Sequence, residues 1–192
     1  MGREFELKFA AGEEAFAALG RKWTDFSVIT METTYFDTPD GALARRHITL
    51  RRRLENGVSV CTVKTPASGG GRGEWELEGK DIGAAVPELC KLGCPEELLS
   101  LTAGGLVPVC GARFTRRARL LNPPGCRVEL ALDEGALLGG GREMPLREVE
   151  VEVKSGSEEA AAAFAEALAR EFGLTPEPKS KFRRALALAK GE

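Results

Sequence analysis

Along much of this chain charged and apolar residues change places at every step, a period of two that predicts β-strands with two different faces. In Glu4-Phe5-Glu6-Leu7-Lys8-Phe9 an extended backbone directs Glu4, Glu6 and Lys8 to one side and Phe5, Leu7 and Phe9 to the other. Glu148-Val149-Glu150-Val151-Glu152-Val153-Lys154 repeats the pattern near the far end, and valine favours strands over helices. Residues 27–36 are rich in β-branched and aromatic types and run into turn residues at 37–41. Residues 48–54 place Thr49, Arg51 and Arg53 on one face; Asn56-Gly57 predicts a hairpin, and 58–64 returns with Thr62 and Lys64 in phase. After a Gly-rich connection at 68–73, Glu74, Glu76 and Glu78 alternate with Trp75 and Leu77. A basic strand at 112–121 and a strand at 127–133, with Arg127, Glu129 and Asp133 in phase, flank a turn at 122–125.

Helical spacing is scarcer. Ala15, Phe16, Leu19 and Trp23 predict a short helix over 12–23, and 83–105 reads as two helical pieces broken by Gly93 and Pro95. Ser157 caps a helix that runs to Phe172, with Glu158 and Glu159 in its first turn and Gly173 as its stop. A basic tail at 179–184 follows.

Composition narrows the classes. The 192 residues fit one large domain, 1–192, and 43% hydrophobic with 29% charged residues excludes global disorder. A net charge of −2 predicts no bulk attraction to nucleic acid or to an anionic membrane, so any electrostatic function rests on local segregation. The five cysteines lack the spacing of a zinc site or a disulfide framework and read as small core residues of a reduced, cytoplasmic protein. No stretch approaches a membrane span. A single His47 gives a Ser-His-Asp or Cys-His site little to build on.

The charged faces carry the functional argument. Two carboxylates beside one lysine, as in the first strand, repel unless a cation joins them, and hard divalent ions prefer carboxylate oxygens. Open-sheet exposure leaves the separation of Arg/Lys strands from Glu strands without a reason. Closing the sheet into a barrel turns one parity of every strand into a charged lumen, suited to a polyanion bound together with metal. Arginine forks and lysine point charges favour a phosphate chain.

The chain resembles the CYTH domain family of the triphosphate tunnel metalloenzymes, and within it the bacterial inorganic triphosphatases, from Glu4 to Leu186. The resemblance is carried by Glu4-x-Glu6-x-Lys8, Tyr35-Phe36-Asp37-Thr38-Pro39, Leu50-Arg51-Arg52-Arg53, Val63-Lys64, Arg72-Gly73-Glu74, Glu129 through Gly135, the 148–152 run and Ser180-Lys181-x-x-Arg184. It implies an α+β protein dominated by a closed eight-stranded antiparallel β-barrel with helices packed outside, and hydrolysis of a triphosphate with Mg²⁺ or Mn²⁺. Carried over by position, Glu4, Glu6, Glu74, Asp133, Glu148, Glu150 and Glu152 would hold metal. Lys8, Arg51, Arg53, Lys64 and Lys181 would bind phosphates, and Glu4, Glu6 and Lys8 are assigned to catalysis. In the basic strand Arg117 and Arg119 share a face and are taken as phosphate ligands, with Arg116 left open. The lumen read this way holds almost only charged residues and Thr, short of the apolar or aromatic platform a base or thiamine needs, which favours inorganic tripolyphosphate as the small anionic substrate of a monomer or homodimer. Thiamine triphosphatase, class IV adenylate cyclase and a polyphosphate-binding module without turnover are the alternatives.

Overall fold

The computed structural model describes residues 5–66 and 72–192, so Glu4 and most of the Gly-rich connection lie outside the described residues. The alternating segments form strands β1 (Glu6–Ala10), β2 (Ser27–Asp37), β3 (Thr49–Glu55), β4 (Val58–Pro66), β5 (Arg72–Glu78), β6 (Val107–Leu121), β7 (Cys126–Gly139), β8 (Arg142–Gly156) and β9 (Thr175–Pro176). The helices are α1 (Glu13–Lys22), α2 (Ala42–Arg45), α3 (Ile82–Lys91), α4 (Glu97–Thr102), α5 (Glu158–Phe172) and α6 (Lys181–Lys190). Serine caps both of the last two: Ser157 Oγ accepts from the Ala160 amide and Ser180 Oγ from the Arg183 amide, each at 3.2 Å.

All nine strands join one antiparallel sheet in the order β5-β4-β3-β2-β6-β7-β8-β1-β9. The expected closed barrel of eight strands is therefore corrected: among the described residues the sheet has nine strands and does not close, with β5 and β9 as its edges. The outer edge of β1 is already occupied. Residues 175–176 pair with Phe9 and Ala10, and the Lys8 carbonyl accepts from the Glu177 amide at 2.8 Å. Pro176 brings no amide hydrogen, so this edge cannot extend the ladder toward β5.

Two apolar clusters lie behind the sheet. One packs Leu130, Leu132, Val149 and Val151 against Phe16, Leu19, Ala161 and Leu168 of α1 and α5; the other packs Leu50, Cys61 and Val63 against Ile82, Leu89 and Leu98 of α3 and α4. α6 departs from the expectation that helices pack outside. Its Ala185 joins Met31, Phe114 and Leu137 in a third cluster, and its first turn lines the same cavity as Met31 and Phe114. A methyl group on Gly139 of β7 would stand 2.4 Å from the Ala185 carbonyl, so close backbone approach seats this helix. Among the described residues no helix is long and apolar enough to cross a membrane.

Candidate active site

Antiparallel pairing puts directly opposed residues on the same face, so the register alone assembles the site. Thr49 stands opposite Lys64, and Lys64 opposite Glu74; Tyr35, Arg51, Thr62 and Glu76 form the next row. On the other half of the sheet Arg116, Asp133 and Glu148 form one row, Glu150 stands opposite Lys8, and Glu129, Glu152 and Glu6 form a third row across β7, β8 and β1. The two halves curl around one cavity of about 300 Å³, lined by Lys8, Arg51, Arg53, Lys64, Arg116 and Lys181 together with Glu6, Glu55, Glu74, Glu76, Glu129, Glu150 and Glu152.

The basic half carries unsatisfied donors. Arg51 Nη2 is 3.6 Å from Glu74, Lys64 Nζ is 3.3 Å from the same carboxylate, and Arg53 pairs with Glu55. Among the described residues, the buried Nε atoms of Arg51 and Arg53 have no hydrogen-bond partner. Burial, then the neighbouring Arg51 charge, pull the Arg53 guanidinium below its ordinary pKa. An anion between the two arginines would relieve both the crowding of like charge and the orphaned donors.

The acidic half holds a dense ion-pair network. Arg116 grips Asp133 with Nε and Nη2, each at 2.8 Å, and also contacts Glu150 Oε2. Lys181 Nζ, at the first turn of α6, lies 2.8 Å from Asp133, 2.6 Å from Glu150 and in contact with Glu148 Oε1, while Arg184 takes Glu148 Oε2. Asp133 and Glu148 are fully buried. Burial drives the Glu148 carboxyl up to about 7 against the pull of Lys181; the Glu150 carboxyl, although buried, is held well below the usual range by Arg116 and Lys181. Burial opposes charge on Lys181, yet its three carboxylate partners raise its pKa above the ordinary value.

Most of the residues expected from the sequence converge here, with specific departures. Arg117 and Arg119 lie on the outer face: the Arg117 guanidinium stacks 5.2 Å over Phe16 and 5.7 Å over Phe26, and Arg119 pairs with Asp25. Register gives the reason, since Ile29 of the cavity face pairs with Arg116 and the outward Val28 with Arg117. Asp133 and Glu148 sit beneath the cavity lining, and Glu4 lies outside the described residues. Glu129 and Arg184 received no role from the sequence; Ser180-Lys181-x-x-Arg184 carries the signal, because a serine cap followed by cations three apart places both on one helical face. The lumen also contains Tyr35, Phe114 and Phe182, which an all-charged reading omitted. His47 is not among the cavity residues.

The model of the CYTH domain matches residues 2–186. The chain belongs to the CYTH domain family. It is 28% identical over 195 residues to the inorganic triphosphatase of Haemophilus influenzae, covering 98% of this chain and 55% of that relative. It therefore spans about half the length of the curated relative. Among solved structures, a candidate adenylyl cyclase from Hippeastrum, described as having a dominant triphosphatase activity, superposes with a TM-score of 0.65 at 21% identity, covering 100% of this chain and 97% of that one. A protein from Pyrococcus horikoshii does so with a TM-score of 0.63 at 24% identity, covering 97% and 99%. At these identities the two structures establish the likeness of fold.

Proposed function

We propose that this chain hydrolyses a triphosphate, most directly inorganic tripolyphosphate, to diphosphate and phosphate within the charged cavity. The observation that carries the reading is the convergence of Lys8, Arg51, Arg53, Lys64 and Arg116 on one cavity, where the buried Nε donors of Arg51 and Arg53 lack partners among the described residues. A triphosphate carries several negative charges in a short rod, and guanidinium and ammonium groups on several strands meet that distribution better than one binding loop does. Because phosphoryl transfer spreads charge over equatorial oxygens, these fixed cations stabilise the transition state without reorganising.

For the family's metal dependence the cavity offers a row of carboxylates. Glu129, Glu152 and Glu6 stand in one cross-strand row, three carboxylates against the ammonium groups of Lys8 and Lys154. Like charges directly opposed across strands are destabilising, and an additional hard cation removes that repulsion. Glu6, Glu129 and Glu152 would hold Mg²⁺ or Mn²⁺, with Glu4 a further candidate outside the described residues. When bound, the metal supplies Lewis-acid neutralisation of phosphoryl oxygens and lowers the pKa of water at the site. Glu74 has a different task here, fixing Arg51 and Lys64 as their counter-charge.

Aromatic residues at the cavity favour a second reading, a triphosphate with an organic group. Against it, Tyr35, Phe114 and Phe182 are only 3%, 6% and 7% exposed, and Tyr35 and Phe182 pack on each other at 5.1 Å, so little ring face is left for a base or thiamine. The test is product analysis with tripolyphosphate, ATP and thiamine triphosphate in Mg²⁺ and in Mn²⁺. Phosphate released fastest from tripolyphosphate supports the proposal. Pyrophosphate from ATP favours the cyclase, and tight polyphosphate binding without any product favours a binding module.

A further inference from the structure

Three carboxylates, Asp133, Glu148 and Glu150, bring one oxygen each to within 4.8 Å of one another, a spacing that invites a divalent ion. Their individual oxygens tell a different story. Asp133 Oδ1 and Oδ2 accept from Arg116 Nε and Nη2. Glu148 Oε1 meets Lys181 and Oε2 meets Arg184. Glu150 Oε1 lies 2.6 Å from Lys181, and its Oε2 meets Arg116. All six oxygens are thus engaged by cations of the chain itself, three carboxylates against one ammonium and two guanidinium groups.

At the centre is Lys181 Nζ, which touches all three acids. The ammonium donates to Glu148 and Glu150, and Asp133 Oδ2 lies 2.8 Å away as a third counter-charge. A divalent ion at this point would have to expel the ammonium from a buried place and leave it unpaired, a cost of several kcal/mol per buried charge. Outside this network, Glu6, Glu129 and Glu152 stand in their own cross-strand row on the cavity wall.

We propose that the Asp133–Glu148–Glu150 trio is a lysine site: Lys181 is its resident cation, and Asp133 and Glu148 are positioning residues for Arg116 and for α6, not ligands of metal. Held by its fork on Asp133, Arg116 keeps Nη1 for the substrate while lining the cavity. Lys181, held by its three carboxylates, adds positive charge to the cavity lining and pins the first turn of α6. This assignment rests on the proposed triphosphate reading, and it divides the acidic residues into a metal row and a counter-charge trio.

The experiment is a calorimetric Mn²⁺ titration of the substrate-free protein, alongside kcat and KM for tripolyphosphate, in Asp133→Asn, Glu148→Gln and Glu152→Gln. Asp133→Asn and Glu148→Gln should keep Mn²⁺ affinity within about threefold of the parent, whereas Glu152→Gln should lose more than about tenfold. Asp133→Asn should also raise KM at least about tenfold with a smaller change in kcat, the signature of a loosened Arg116. Loss of Mn²⁺ affinity in a folded Asp133→Asn or Glu148→Gln protein to the extent seen in Glu152→Gln overturns the proposal. Should those two variants not fold, Lys181→Met decides. Removing the resident cation should create one additional Mn²⁺ site, and unchanged stoichiometry overturns the proposal. The titration contains no substrate, so its result is separate from the failure of triphosphate hydrolysis, which the product assay reads.

Discussion

Arg51→Ala separates binding from folding in a way the structure makes specific. Arg51 Nε is buried without a partner, and Nη2 lies 3.6 Å from Glu74, beyond a good hydrogen bond. Its donors are therefore spare for an anion. A hydrogen bond to a charged group contributes about 1.5–3 kcal/mol, so removing the guanidinium should weaken tripolyphosphate binding roughly 10- to 150-fold. The same change costs the fold little. Lys64 Nζ, 3.3 Å from Glu74, still accompanies that carboxylate, and the repulsion that burdens Arg53 is relieved. Isothermal titration with tripolyphosphate measures the first effect and urea unfolding of the ligand-free protein the second. The expected pair is a large loss of affinity with a urea midpoint equal to or above that of the parent. Unchanged affinity with clear destabilisation would refute the reasoning, since Arg51 would then be a structural cation and not a ligand.

Three further predictions concern the frame that holds the site. Gly139→Ala should lower stability by about 2–4 kcal/mol in urea unfolding, because its methyl group meets the Ala185 carbonyl at 2.4 Å in a backbone contact that can move only if α6 does. Ser157→Ala, which removes the cap on the Ala160 amide outside the cavity lining, should cost about 1 kcal/mol of stability and leave kcat and KM unchanged. The third is a pH dependence. Glu148 has its carboxyl raised from 4.5 to about 7 by burial, so between these values the native chain binds more protons than the unfolded one. Its contribution is present below pH 4.5 and fades as pH rises through 7, and Glu148→Gln should remove that fall. Glu150, held low, acts in the opposite sense, lending stability above 4.5 that is lost in acid. Urea midpoints of the parent and Glu148→Gln measured from pH 4 to 8 check this; a difference that stays constant with pH contradicts it.

The period of two made the cavity face legible. For Glu6 and Lys8, Arg51 and Arg53, Lys64, and Glu150 and Glu152, alternation alone sorted the cavity side from the core side, because a strand offers only two directions. It failed where parity was ambiguous. In Thr115-Arg116-Arg117-Ala118-Arg119 both parities carry arginine, and only pairing with Val28 and Ile29 of a strand 80-odd residues away decides which one faces inward. Closure was equally out of reach, because it depends on which segment covers the outer edge of β1, and a two-residue strand ending in Pro176 gives almost no pattern. Helix α6 was read as a basic tail since four of residues 179–184 are cations; its apolar face, Phe182 and Ala185, is recognisable only once a helical period is assumed from the Ser180 cap. The counter-charge role of Asp133 and Glu148 was hidden for a related reason. A carboxylate on the cavity parity looks the same in sequence whether it meets a metal ion or the chain's own Lys181.

The most direct test of the account is phosphate release from tripolyphosphate by the purified chain, with Mn²⁺ or Mg²⁺ supplied and then chelated, beside Arg53→Ala under the same conditions. Metal-dependent release of one phosphate per tripolyphosphate is expected, abolished by chelation, with KM raised in Arg53→Ala. No release from tripolyphosphate with either metal, or release that persists unchanged after chelation, would contradict it.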